Sequence, residues 1–306
     1  MSDAVPVDVK IILAGMVLVA VAALRKAYAA ADEAGLREWA EVHGLELTAE
    51  SRPMVAWYLR TARVLRAWGA VAGLLLPTVI EGALGGPLRV LGFGSDGTAS
   101  PGAVVFILLG YLVGAFYAEI ALRRRGGKAV RSASLVPRDI EDYLPPQVLW
   151  LQRGLGAAAL VGAGLMALVS VFEWGRRAER LSYPTLPAVL VWAGLVVAFT
   201  AGLEWVQRWL VRRPQPFVEP ALVAADDAIR SQSVHSLAGS GIAVLLLQCG
   251  FLLIGFGAYA GQALAWALGV PGLVLCLASA VACQLVGHRS WRVRRRAAAP
   301  ARPAPA

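Results

Sequence analysis

Long uncharged apolar runs alternate with charge-bearing segments along the chain, and the longest run extends from Ser231 to His288 without one Asp, Glu, Lys or Arg. A helix crosses the hydrocarbon core of a bilayer with about 20 apolar residues, and lipid offers no partner to backbone N–H and C=O groups. The run therefore predicts two membrane helices in a hairpin. Its reversal should fall between Tyr259 and Gln262, where Gly257 and Gly261 permit a tight turn and Trp266 sits at head-group depth. Pro271 should kink the second helix or mark its start, because proline removes a backbone donor. Read in the same way, the whole chain gives seven spans, at about 8–27, 67–87, 101–121, 154–173, 185–205, 239–259 and 264–286. The fold class expected is an all-α integral membrane protein in which three hairpins, each closed by a cytoplasmic connection, are followed by a final helix. Residues 1–288 form this polytopic domain. Residues 289–306, basic and then rich in Ala and Pro, have too little to bury and are expected to be disordered.

Composition removes the soluble alternative. With 58% hydrophobic residues, 16% charged residues and a mean hydropathy of +0.62, a chain of 306 residues cannot bury all its apolar runs inside itself. The basic residues then set orientation. Roughly seven, seven, four and six Lys and Arg follow spans one, three, five and seven, against one, three and none after spans two, four and six. This bias places the N-terminus outside and the C-terminus in the cytoplasm of a bacterial inner membrane. The weak point is the group Arg176, Arg177 and Arg180, which falls in an outward loop. Trp68, Trp150, Trp174, Trp205, Trp209, Trp266 and Trp291 cluster at span ends, as interfacial rings do. The first run, Ile11 to Leu24, follows an acidic stretch and precedes Arg25 and Lys26, the reverse of a cleavable signal, so it is expected to remain as an anchor.

A net charge of +9 raises nucleic acid as a partner, but the basic residues lie at membrane boundaries and no nucleic acid is expected. Arg60, Arg63 and Arg66 recur every third residue on the helix that starts near Ser51 and Pro53. With Arg123, Arg124, Arg125, Arg294, Arg295 and Arg296 they are expected to face anionic lipid head groups. The same basic segments offer a docking surface for a cytoplasmic protein partner or an ATPase subunit.

Candidate chemistry is sparse, and no cofactor is expected. Cys249, Cys276 and Cys283 all lie in the terminal hairpin and read as small core residues. Asp139, Glu141 and Asp142 form one acidic cluster and Asp226 with Asp227 a second; together they could hold a hard divalent cation, although Asp227 is followed by Ala228, Ile229 and Arg230 rather than by aspartates at intervals of four. The simpler expectation is acidic stabilisation of helix starts. His235 and His288 share a membrane depth and could face each other. Within the hydrocarbon, ionisable residues are functional candidates by default. Glu81, just beyond Pro77, is the main one, and Gln248 and Gln284 are polar positions of the last hairpin. Glu119 and Glu204 stand at span ends beside arginines, where ion pairing accounts for them. An offset of 87 residues aligns Leu135-Val136 and Asp139 with Leu222-Val223 and Asp226, and Gly154 with Gly241, a pattern compatible with an internal repeat. The pairs Gly69/Gly73, Gly110/Gly114 and Gly257/Gly261 allow helices to approach closely. Three functional classes remain: a non-enzymatic membrane component acting through partners, a permease using Glu81 and the last hairpin, and a metal-dependent lipid-modifying enzyme using the acidic clusters.

Overall fold

The computed structural model describes residues 18, 20–22, 24–29, 33–84, 102–125, 138–173, 186–214, 219–259 and 262–287. Every regular element among them is helical: α1 (Glu33–His43), α2 (Ser51–Leu84), α3 (Gly102–Arg125), a 3-10 turn (Ile140–Asp142), α4 (Pro146–Glu173), α5 (Leu186–Arg212), α6 (Pro220–Tyr259) and α7 (Gln262–Gly287). Four helices are long and apolar enough to cross a membrane, over Pro146–Val169, Val189–Arg212, Pro220–Phe256 and Trp266–Cys283. α3 adds a shorter apolar stretch, Phe106–Ala121. The start of the expected first span and the tail 289–306 lie outside the described residues; residues 24–28, at the end of that span, are helical.

Local chemistry sets the helix ends. Before α2, the Thr48 backbone N–H donates to Ser51 Oγ at 3.0 Å while the Ser51 N–H donates to Thr48 Oγ1 at 3.2 Å, a reciprocal cap for otherwise unpaired donors. α1 ends at Gly44, whose φ of 60° is the left-handed conformation that glycine adopts without penalty, and Leu45 N–H reaches back to Ala40 O at 2.9 Å. α6 stops at Tyr259 and α7 starts at Gln262, so the reversal falls where expected. Pro271 lies inside α7 and does not mark its start.

Burial is inverted relative to a water-soluble bundle. α6 forms the axis, with 78% of the residues in its most apolar stretch buried, and packs against α2, α3, α4, α5 and α7. Large apolar side chains on α4, α5 and α7 point outward, among them Leu165, Leu168, Leu190, Leu195, Leu273 and Leu277, each at least half exposed. Polar side chains turn inward, including Arg230, Gln152 and Gln207 at 0% exposure. Water would penalise such a surface, whereas hydrocarbon favours it. At 40 residues, α6 is roughly 60 Å long, about twice the thickness of a hydrocarbon core, so it continues well beyond the expected span 239–259.

Of the expected hairpins, the helices of spans five and six, α5 and α6, pack together, those of spans three and four, α3 and α4, hardly do among the described residues, and that of spans one and two lies largely outside the described residues. Among the described residues the closest packing joins α6 with α7 and α2 with α3, followed by α4 with α6 and α4 with α5; α5 and α6, separated only by residues 213–219, pack less closely. In the α2–α3 pair the two glycine pairs interlock: a Cβ on Gly69 would come within 2.1 Å of Gly110 O, and one on Gly114 within 2.2 Å of Leu65 O. In the last pair Gly250 and Gly272 come close, and a Cβ on Gly250 would meet Gly272 O at 2.6 Å; the surroundings of Gly257 and Gly261 lie outside the described residues.

Candidate functional site: a buried ionic lattice

The most unusual chemistry among the described residues gathers around the N-terminal half of α6, before that helix becomes mainly apolar. Asp226, Asp227, Arg230, Ser231, Ser233, His235 and Ser236 are all buried there. Around them stand Tyr58 from α2, Glu119 from α3, Arg213 just past α5, and Arg138 and Tyr143 flanking the 3-10 turn. Arg213 bridges two carboxylates, Nη1 to Glu119 Oε2 at 3.0 Å and Nη2 to Asp226 Oδ1 at 2.9 Å. Arg230 reaches Asp226 Oδ2 through Nε at 2.8 Å, and its remaining nitrogens donate to the carbonyls of Val211, Arg213 and Pro214. Arg138 lies 3.7 Å from Asp227 Oδ1, to which the Tyr143 hydroxyl donates at 3.0 Å.

Glu119 is completed by hydroxyls. Ser233 Oγ donates to Glu119 Oε1, and Tyr58 OH donates to Ser233 Oγ at 2.7 Å. This assignment spends the single proton of each hydroxyl once. Three carboxylates are thus matched by three guanidinium groups, and the members are almost sealed from solvent, with side-chain exposures of 7% for Arg213, 1% for Glu119, 3% for Asp226 and 0% for Arg230. Burial of such charges is costly, and removal of a single partner costs about 3–5 kcal/mol because the other charge is left stranded. Burial alone would weaken the charge on Arg213, but the facing Glu119 and Asp226 outweigh it and hold its pKa above the usual value. Burial, reinforced by Glu119, raises the pKa of Tyr58, which stays protonated as a donor.

The two acidic clusters expected from sequence meet different fates. Asp226 and Asp227 are consumed by arginines of the lattice. Asp139 and Glu141 remain exposed, and Asp142 turns back to accept from the Asp139 N–H at 3.2 Å. Among the described residues no group of three or more His, Cys, Asp or Glu is placed to hold a metal ion. Stabilisation of a helix start by Asp226 and Asp227 is not the whole description, since Asp226 pairs with Arg213 from beyond α5 as well as with Arg230 of its own helix, and Asp227 lies 3.7 Å from Arg138. Glu119 pairs with Arg213 of another segment. Glu204 is shared by Arg153 at 2.7 Å and Arg208 at 2.8 Å.

The expected row of lipid-facing arginines divides. Arg60 and Arg63 are exposed, but Arg66 is turned inward, its guanidinium 5.7 Å from the centre of the Tyr111 ring and its Nε shielded from solvent. The cause is the interlocked α2–α3 contact, where Gly114 packs on Leu65 and Arg66 and leaves the side chain beside the partner helix. The side chains of Arg123, Arg124, Arg125, Glu81 and Gln284 lie outside the described residues, as do Arg294, Arg295, Arg296 and His288. His235 is buried, with Nδ1–H donating to Ser231 O at 2.8 Å. Gln248 is 8% exposed and its Oε1 has no partner among the described residues. Positions related by the 87-residue offset have unlike surroundings: Asp139 is exposed and Asp226 buried, while Gly154 faces open space and Gly241 presses on Leu203.

Sequence reading missed Arg213, Arg230, Arg138, Tyr58, Tyr143 and Ser233 as members of one site. One signal was available: Asp226 and Arg230 are four apart, on one face of a helix, at the edge of the longest uncharged run. Comparison of the chain with protein-family models, with curated proteins and with solved structures finds no match in any of the three.

Proposed function

We propose that the chain is a non-enzymatic, multi-pass component of a bacterial inner membrane, which displays a rigid cytoplasmic face to a protein partner. The observation that supports this reading is the self-contained lattice. Its three acids and three arginines neutralise one another, leaving neither a free general base nor a free ligand set among its described members, while it ties α2, α3, α5, α6 and the Arg138–Tyr143 segment into one unit. Such closure favours stiffness over turnover. In the orientation proposed, with the N-terminus outside and seven spans, the lattice lies on the cytoplasmic side. Arg60 and Arg63, the exposed basic positions of α2, flank it and are available to a cytoplasmic partner or an ATPase subunit, or to anionic head groups.

Two measurements test this. A photo-crosslinking residue at position 60 or 63, in cells, should capture one discrete protein, whereas the same residue at Leu165 on the apolar surface should capture none. Proteoliposomes containing the purified chain should hold an imposed proton gradient as well as empty liposomes do. Proton leak above that of empty liposomes would overturn the reading in favour of a permease, whose structural support is the unpartnered Gln248 Oε1. Unchanged flux in Glu81→Gln would then exclude Glu81 from that route.

A further inference from the structure

We infer that a cleft between the 3-10 turn, the start of α4 and the end of α5 is a binding site for a zwitterionic phospholipid head group of the phosphoethanolamine type. The cleft encloses about 320 Å³ and is lined by Arg138, Asp139, Glu141, Trp150, Arg153, Arg208 and Arg212 with a few apolar neighbours. A volume of this size is at the lower end of small-ligand sites. Its position is that of a lipid head group, because one apolar span begins at Pro146 and another ends at Arg212, and Trp150, 69% exposed, stands at that level.

The charge pattern selects the ligand. Arg153 and Arg208 share one carboxylate, Glu204, and Arg212 is exposed with no carboxylate partner among the described residues. Arg138 is held by Asp227 and contributes less. The α4 and α5 wall therefore presents planar guanidinium donors suited to a phosphate. Opposite, on the turn, Asp139 and Glu141 are exposed carboxylates, and Glu141 is near enough to influence Arg153. Counting Glu204 and Asp227, four arginines face four acids, so the cleft has no net charge to attract a plain anion. A ligand carrying both a phosphate and a primary ammonium satisfies both walls. A quaternary ammonium has no N–H to donate to the carboxylates, and a glycerol head group has no cation. The carbon chains of such a lipid would continue along the exposed apolar residues of α4 and α5, which include Leu151, Val161 and Val197.

The test is native mass spectrometry of the delipidated full chain titrated with phosphatidylethanolamine, phosphatidylcholine and phosphatidylglycerol, with water-soluble glycerophosphoethanolamine as a fourth arm. Phosphatidylethanolamine should bind at least tenfold more tightly than either other lipid, and the soluble head group should bind far more weakly because it lacks acyl contacts. Arg212→Ala, at an exposed position outside the lattice, should weaken every phosphate lipid. Glu141→Gln should remove the preference for ethanolamine over choline and leave phosphate binding in place. Equal binding of the three lipids, tighter binding of phosphatidylglycerol, or insensitivity to both substitutions would overturn the proposal. Binding of the soluble head group as tight as that of the lipid would overturn the membrane-lipid source.

Discussion

Replacement of Glu119 by Gln preserves shape and removes one charge from the lattice, and its consequence follows from the geometry. In the wild type Glu119 is 1% exposed and accepts from Arg213 at 3.0 Å and from Ser233. The substitution strands part of the Arg213 charge in a site that excludes water. Breaking a buried pair from one side costs about 3–5 kcal/mol. Arg213 retains Asp226 at 2.9 Å, so the cost should fall at the lower end, about 3 kcal/mol. For a chain of this size each kcal/mol moves the melting midpoint by roughly 2–4 °C, which gives a fall of about 6–12 °C. Because unfolding of such proteins in detergent is often irreversible, apparent midpoints should be compared at one scan rate. Glu204→Gln is the internal control. Its partners Arg153 and Arg208 have side chains 41% and 47% exposed, so that substitution should cost less than about 1 kcal/mol. Adding Arg213→Met to Glu119→Gln should cost less than the sum of the two single changes, since the stranded cation is then gone. If Glu119→Gln melts within about 2 °C of the wild type, or no lower than Glu204→Gln, the lattice does not stabilise the fold.

Three further outcomes follow from particular contacts. Gly69→Ala should cost about 1–3 kcal/mol or more and broaden the size-exclusion profile, because its Cβ would strike Gly110 backbone at 2.1 Å, whereas Gly154→Ala, with nothing within 4 Å, should be neutral or stabilising by up to about 1 kcal/mol. Gln207 Nε2 donates to Gln152 Oε1 at 3.1 Å inside the bundle, so either single change to Leu should lower the midpoint by an amount equivalent to about 1–3 kcal/mol, and the double change should recover most of it. His43 is buried against Trp39, and burial lowers its pKa below 6.5, so the unfolded chain takes up the proton first; its contribution is complete above about pH 6.5 and is lost as pH falls below that value. Melting at pH 7.5 and 5.5 should show a larger drop for the wild type than for His43→Gln.

Much of the architecture was legible because it follows from the poor fit of charge and open backbone in hydrocarbon. The terminal hairpin was found from an uncharged run alone, and its turn lies between Tyr259 and Gln262 as the glycines implied. The glycine pairs marked the α2–α3 contact without identifying each other as partners, since small residues permit an approach but do not specify it. Helix lengths were underestimated at the charged ends. Charges ended each predicted span, yet α6 begins at Pro220 and carries Asp226, Asp227 and Arg230 within a continuous helix: Asp226 pairs with Arg230 one turn on and with Arg213 from the segment after α5, and Asp227 with Arg138 from the residues before α4. Arg138 and Asp227 are distant in sequence, as are Glu119 and Arg213, and nothing in the local pattern pairs them. The same limit explains Arg66, whose spacing from Arg60 and Arg63 implied a shared exposed face while the close approach of α3 covered it.

The bundle is inverted: α6 is its buried axis and large apolar side chains of α4, α5 and α7 form its outer surface, as a location in lipid requires. In a background with Cys249, Cys276 and Cys283 replaced, single spin labels at Leu165, Leu195 and Leu277 on the outer surface, and at Ala243 on the buried axis, can be read in reconstituted bilayers by relaxation with oxygen and with a water-soluble nickel chelate. The outer three should be accessible to oxygen and protected from the chelate, and Ala243 protected from both. Chelate access at the outer sites, or oxygen access at Ala243 equal to theirs, would contradict the account.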